Sequence, residues 1–249
     1  NFPNAPDSFR KSFFANVLPD DLNLLTPKDR ERIAGSVWDL AQARQPGKLK
    51  LRIYNPSSAT DGWTVDHTVL DIVNDDMPFL VDSVTGALQR RGLSIHIVIH
   101  PVMPVRRDAQ GKMIDTNSAG DARAESFMHI QIDHCLDQNF LQELEADIQA
   151  VLNDVRAAVQ DWPKMRYQLT KAIEVNEEHA RAGDDGAEAK ECRRWLDANN
   201  FTYLGFRDID LRQEGGKLAA ITIIPDSGLG VLRDRDLHMF GGLRNMKSH

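Results

Sequence analysis

Between Thr68 and His100 the spacing of apolar residues changes twice. Leu70 and Ile72 alternate with polar neighbours, as in a half-buried strand, and Asn74, Asp75 and Asp76 stop the run. Leu80, Val84 and Leu88, with Val81 beside them, then recur at the three- and four-residue spacing of a helix stripe, and Pro78 suits its first turn. Gly92 fits a left-handed cap, after which Leu93, Ile95, Ile97 and Ile99 return to a period of two. The stretch therefore predicts strand, helix, strand. Gly86, unfavourable in a helix by about 1 kcal/mol relative to Ala, is expected to let helix and sheet approach closely.

Upstream, Phe9, Phe13, Phe14 and Val17 predict a short helix ended by Pro19, Asp20 and Asp21. Thr26 as N-cap and Pro27 at N1 open a second helix with Ile33, Val37, Leu40 and Ala41 as its stripe, stopped at Pro46-Gly47. Lys48 to Tyr54 reads as a strand, followed by turns at Asn55-Pro56 and Asp61-Gly62. Downstream, Pro101 and Pro104 suggest an edge, Arg107 to Gly111 a turn, Asp115 to Ala124 a polar connection, and Phe127 to His134 a strand with Met128, Ile130 and Ile132 inward. A helix from Asp137 to about Gln160 is expected to break at Asp161-Trp162-Pro163. A helix with Met165, Leu169 and Ile173, a linker at Gly183 to Gly186, a short helix ending at Trp195-Leu196, a strand from Phe201 to Leu211, a Gly215-Gly216 hairpin into Leu218 to Ile224, and a turn-rich tail complete the chain.

The 249 residues suffice for one large domain or two ordinary ones. A net charge of −7 disfavours nucleic acid and anionic membranes as partners. No apolar run approaches the roughly 18 residues of a membrane span, and no signal-peptide pattern is present. Cys135 and Cys192 lie far apart without ligand spacing, which predicts reduced thiols in a cytoplasmic, soluble protein. The ends, Asn1 without methionine and a Gly-Gly turn shortly before His249, suggest a fragment of a longer polypeptide.

Asp76-Met-Pro-Phe-Leu-Val, with Gly92-Leu-Ser-Ile one helix later, resembles the opening of an ACT domain, a small regulatory βαββαβ module that often binds amino acids. The order and spacing of Arg52-Ile-Tyr-Asn-Pro, Asn74-Asp-Asp-Met-Pro-Phe-Leu-Val-Asp-Ser-Val, His100-Pro-Val and Phe201-Thr-Tyr-Leu-Gly-Phe-Arg resemble the N-terminal region of the large bacterial NAD-dependent glutamate dehydrogenases, from about Phe13 to Arg233. The resemblance implies an α+β fold: an ACT/ferredoxin-like βαββα sandwich with a mainly antiparallel sheet and helices on one face, an N-terminal helical cap, and the start of a second α/β module. The expected divisions are an N-terminal helical segment 1–47, an ACT-like domain 48–162, a helical linker 163–186 and an incomplete ACT- or PAS-like module 187–249.

ACT modules commonly hold an effector where a strand meets a helix N-terminus, so Asn74, Asp75, Asp76, Met77, Pro78 and Phe79 are the candidate effector-binding residues. Phe79 departs from the glycine usual in that family, and its ring is expected to fill the ligand space, while Asp75 and Asp76 would repel a carboxylate. A plain helix cap packed on a sheet is the competing reading. His96, His100 and His129, with Asp133, could line a metal site on paired strands, against the plainer reading of a polar sheet face covered by another subunit. Gly228-Leu-Gly230 lacks the third glycine of a dinucleotide loop, Arg233 standing in its place, and Gly215-Gly216-Lys217 reads as a turn.

No catalytic residue is identified. The resemblance implies a regulatory or assembly region without its own cofactor or metal, in a parent enzyme that converts L-glutamate, NAD and water to 2-oxoglutarate, ammonium and NADH in a downstream domain. Expected partners are a second copy or the rest of the parent, and an amino-acid effector. The alternatives are a stand-alone metal-dependent enzyme on the histidine face and a ligand-free interaction module.

Overall fold

The computed structural model describes residues 5–116, 120–179, 191, 195–196, 201–214 and 217–234. By proximity the chain forms two units, Asn1–Leu152 and Asn153–His249.

In the first unit α1 (Asp7–Phe13), α2 (Pro19–Asn23) and α3 (Pro27–Ala41) precede β1 (Lys50–Tyr54), β2 (Thr68–Asp75), α4 (Leu80–Arg90), β3 (Ile95–Ile99), β4 (Val102–Arg107), β5 (Met113–Asp115) and β6 (Arg123–Ile132). Pro19 opens α2 rather than closing the preceding helix, because its fixed φ and missing N–H suit a first helical position. Thr26 caps α3 as expected, and Asp29 completes a reciprocal capping box.

The six strands form a sheet in the order β1-β2-β6-β4-β5, with β3 also paired to β6 and every pairing antiparallel. β2 follows one edge of β6 from Thr68 opposite Ile132 to Asp75 opposite Glu125. The other edge of β6 is shared, Ile99 lying opposite His129 and Val102 opposite Ser126. Between them Phe127 N–H donates to Pro101 O at 3.0 Å, so the strand changes at the proline without leaving β6 unpaired. This is a mixed α/β architecture on an antiparallel sheet.

Helices cover both faces, contrary to the expected one-sided arrangement. Val69, Val73 and Phe127 share a core with Phe9 and Phe13 of α1 and with Ile33 and Val37 of α3. The Phe9 ring meets Trp38 and Phe127 edge-on at centroid distances of 5.0 and 5.7 Å. Alternate residues Leu70, Ile72, Met128, Ile130 and Ile132 point to the other face and are equally buried, as are Leu80, Val84 and Leu88 of α4 and Leu144 and Ile148 of α5 (Gln138–His179). Each fully buried aromatic or aliphatic side chain contributes about 1.5–3 kcal/mol. The helices α1 and α3 therefore form one wall of the core.

α4 begins two residues later than expected: Pro78 and Phe79 form a turn, and Phe79 occupies the left-handed region at φ 71° as N-cap. Gly86 is not a close-packing residue, since a Cβ there would meet only Arg90 Nη1, at 3.6 Å. The expected break at Pro163 is also absent. α5 runs through it, and buried Ala158, Asp161 and Met165 keep one stripe in phase across the proline.

In the second unit β8 (Ile209–Glu214) pairs antiparallel with β9 (Lys217–Ile223), and β7 (Gly205–Phe206) with β10 (Leu229–Gly230). The expected strand from Phe201 to Leu211 is thus two short strands. A side chain at Gly230 would collide with Leu204 O, and its φ of 59° favours glycine, so this residue serves backbone packing. Asp161 accepts from Gly230 N–H at 2.8 Å and from both Nε and Nη2 of Arg233, at 2.5 and 2.6 Å. Arg233's hydrogen bonds, against the opposing effect of burial, hold that carboxyl below its ordinary value. The linker glycines 183–186 and the hairpin pair 215–216 lie outside the described residues.

Candidate functional site

The strand-to-helix turn lies at the end of β2. Asn74 is fully buried, Asp75 and Met77 are partly exposed, and Asp76, Pro78 and Phe79 are exposed. Phe79 is 46% exposed. Asp75 is committed elsewhere: one oxygen accepts from Arg44 Nη2 and the other from Gly47 N–H, both at 2.9 Å.

The polar chemistry concentrates on the α3 side of β2 and β6. Asp71, with no exposure, accepts from His129 Nδ1 at 2.7 Å through one oxygen. The other oxygen takes the Ser36 hydroxyl proton and lies 3.3 Å from both Arg52 Nη2 and the Tyr54 hydroxyl. Burial pushes the Asp71 carboxyl up, but the His129 hydrogen bond and the charges of His129 and Arg52 outweigh it and hold it below its ordinary value. Burial and the charge of Asp71 push the Tyr54 phenol well above its ordinary value.

Four register positions along β6, Glu125 is 2% exposed and lies between two guanidinium groups. Arg107 donates from Nε and Nη2 at 2.7 and 2.8 Å, and Arg44 donates from Nε at 3.1 Å with Nη2 2.7 Å from the other oxygen. Burial raises the Glu125 carboxyl, and the hydrogen bonds of Arg107 and Arg44 more than reverse that, leaving it lowered. Arg107 Nη1 also donates to Ala41 O and Gly111 O, both at 2.9 Å, tying α3 to the β4–β5 turn.

An Asp–His pair is a general acid–base motif, yet this one lacks the rest of a relay. Ser36 donates to the carboxylate rather than the imidazole, and His129 Nε2 sits 3.1 Å from Gln131 Nε2. The three histidines each have a different partner. His96 Nε2 lies 2.9 Å from Asp133, His100 Nε2 lies 2.7 Å from Ser126 Oγ, and His129 is held by Asp71. The β3 register shifts between Ile95 and Ile97, which separates His96 from the face expected of it. Among the described residues no group of three or more metal-ligating side chains is present. His129 is a buried core residue, not part of an open polar face.

Several of these residues were not singled out from sequence as a site: Ser36, Arg44, Asp71, Arg107 and Glu125. One signal was available. In Arg52-Ile-Tyr-Asn-Pro, Arg52 and Tyr54 clamp Ser36 and Asp71, while Asn55 donates to Cys135 O at 2.8 Å and accepts from Thr68 Oγ1 at 2.6 Å. The motif is a structural clamp.

Fold and site together define a mixed α/β domain in which Asp71 is bonded to His129, and Glu125 to Arg44 and Arg107, within the core. A family model described as "Glutamate dehydrogenase, ACT1 domain" matches residues 9–148, and the chain belongs to that family. It is 36% identical over 235 residues to the NAD-specific glutamate dehydrogenase of Halomonas elongata, covering 91% of this chain and 14% of that protein. Identity to the enzyme of the same name from Pseudomonas aeruginosa is 33% over 219 residues, 84% of this chain and 14% of the relative. The Mycobacterium tuberculosis enzyme is 27% identical over 237 residues, 90% of this chain and 13% of its own length. The chain thus spans about one seventh of the length of these relatives. The resemblance to the N-terminal region of the large NAD-dependent enzymes is thereby shown. Among the described residues no helix is long and apolar enough to cross a membrane.

Proposed function

We propose that this chain is a non-catalytic regulatory and assembly region of an NAD-dependent glutamate dehydrogenase, with an ACT-like βαββα core. Hydride transfer from L-glutamate to NAD, and release of 2-oxoglutarate and ammonium, belong to residues outside the chain. One observation carries this reading: Asp71, His129, Glu125, Arg44 and Arg107, the groups best suited to chemistry, are buried and spent on one another. The site of action is the cytoplasm, where the parent's substrates reside. With both sheet faces covered by helices, self-association would use strand edges, of which β1 is one.

The purified chain, incubated with L-glutamate and NAD, should form no NADH, whereas the parent enzyme should. Glutamate-dependent NADH formation by the chain alone would refute the reading. Removing the region from the parent should alter assembly or effector response while a catalytic site remains. Loss of neither would count equally against it.

A further inference from the structure

One edge of β6 is shared by β3 and β4, and β5 covers the far side of β4. Among the described residues no strand covers the far side of β3, so its outward N–H and C=O groups can still take a backbone partner. Two clefts include this strand in their walls. His96 and Ile97 line one of about 570 Å³ together with Leu24 and Asp66, and Val98 and His100 line one of about 210 Å³ together with Leu18 and Asp21. Leu18 and Leu24, at the two ends of α2, are 67% and 71% exposed. Each cleft thus offers an apolar side chain to an incoming group.

The edge itself is short. A bulge at His96 and Pro101 just past the strand confine regular pairing to residues 97–99, which guards against indiscriminate strand addition. So brief a backbone contact sets direction and register and leaves affinity and specificity to side chains seated on either side. Ile97 and Val98 are consecutive, so an extended chain laid beside them reaches both clefts. Charge then narrows the choice. The two linings hold Asp21, Asp29 and Asp66 but neither lysine nor arginine, so an acidic segment would meet like charge with no balancing cation.

We propose that the outer edge of β3 docks an extended segment of a protein partner, with apolar residues alternating with lysine or arginine, its apolar side chains seated against Leu18 and Leu24. The partner adds a strand to the sheet at its third free edge, away from β1. This names a partner class for the assembly role and rests on it. Docking is read without turnover, so its failure leaves the non-catalytic assignment standing.

The test titrates a capped nonapeptide of leucine alternating with lysine into the nitrogen-labelled chain and follows the backbone amide signals. The β3 amides should shift saturably, and the same peptide with glutamate for lysine should bind at least about tenfold more weakly. N-methylation of one set of peptide residues, the leucines or the lysines, should abolish binding while methylation of the other set does not, because only alternate N–H groups face β3. Leu18→Asp and Leu24→Asp, at exposed positions, should each weaken binding at least about tenfold with the fold intact, whereas Ile114→Asp on β5 should not. The proposal is overturned if the β3 amides do not move, if the glutamate peptide binds equally, if neither N-methylation pattern matters, or if both leucine variants bind as the parent does. Protection of the β3 amides by a dimer of the chain, with no response to peptide, overturns it as well and assigns the edge to a second copy.

Discussion

Replacing Glu125 with glutamine should destabilise the first unit far more than loss of an ordinary ion pair. The carboxylate is 2% exposed and sits between Arg44 and Arg107, with side chains 1% and 5% exposed. Glutamine removes the negative charge and sets an amide NH₂ against guanidinium donors. Asp75, 29% exposed, remains as a partner for Arg44 alone. Breaking a buried pair from one side costs about 3–5 kcal/mol, or roughly two to four powers of ten in the folded-to-unfolded ratio. Hydrogen exchange of the β6 amides, together with urea unfolding, reads this loss in the sheet itself. The pH dependence gives a second signature. Because the folded Glu125 carboxyl lies below its ordinary value, its stabilisation is complete above the unfolded value of about 4.3 and is lost as pH falls through the folded one. The variant should therefore show a shallower acid limb than the parent. A loss below about 1 kcal/mol, the range of exposed pairs, or an acid limb unchanged in slope would refute the reasoning.

Gly86→Ala should stabilise the chain by about 0.5–1 kcal/mol in thermal or urea unfolding, since the space is free and the helix gains. Phe79→Gly should be tolerated within about 0.5 kcal/mol, because it relieves the positive φ and gives up only a half-exposed ring, whereas Phe79→Val should lose about 1–2 kcal/mol. In a spectroscopic titration one of the three tyrosines should resist ionisation until the fold opens at alkaline pH, and Tyr54→Phe should remove that resistant group. The sign follows from burial and the Asp71 charge, both of which disfavour a phenolate.

The central strand, helix and strand were legible because their apolar periods differ, and the Thr26–Pro27 start because capping chemistry is local. What period could not reveal was that β2 is buried on both faces. Asp71 looked like a solvent position, but its partners, Ser36, Arg52 and His129, come from segments distant in sequence. Pro163 misled for a related reason: one missing N–H was weighed locally, while buried residues on either side continue the helix. Pro19 carried the right signal with the wrong sign, since proline begins helices as readily as it ends them. At the turn after β2 the bend was legible, but not the later start of α4, where Phe79 takes the left-handed region as N-cap.

The two phenylalanines of α1 sit against Phe127 on the middle strand. A shortened chain beginning at Lys48 would strip that wall away and leave Val69, Val73 and Phe127 as a greasy slab, prone to clump with its own kind. Attempts to isolate the minimal module should therefore keep the first forty-seven residues, and any partner that pried α1 loose would unmask adhesive surface at the heart of the sheet.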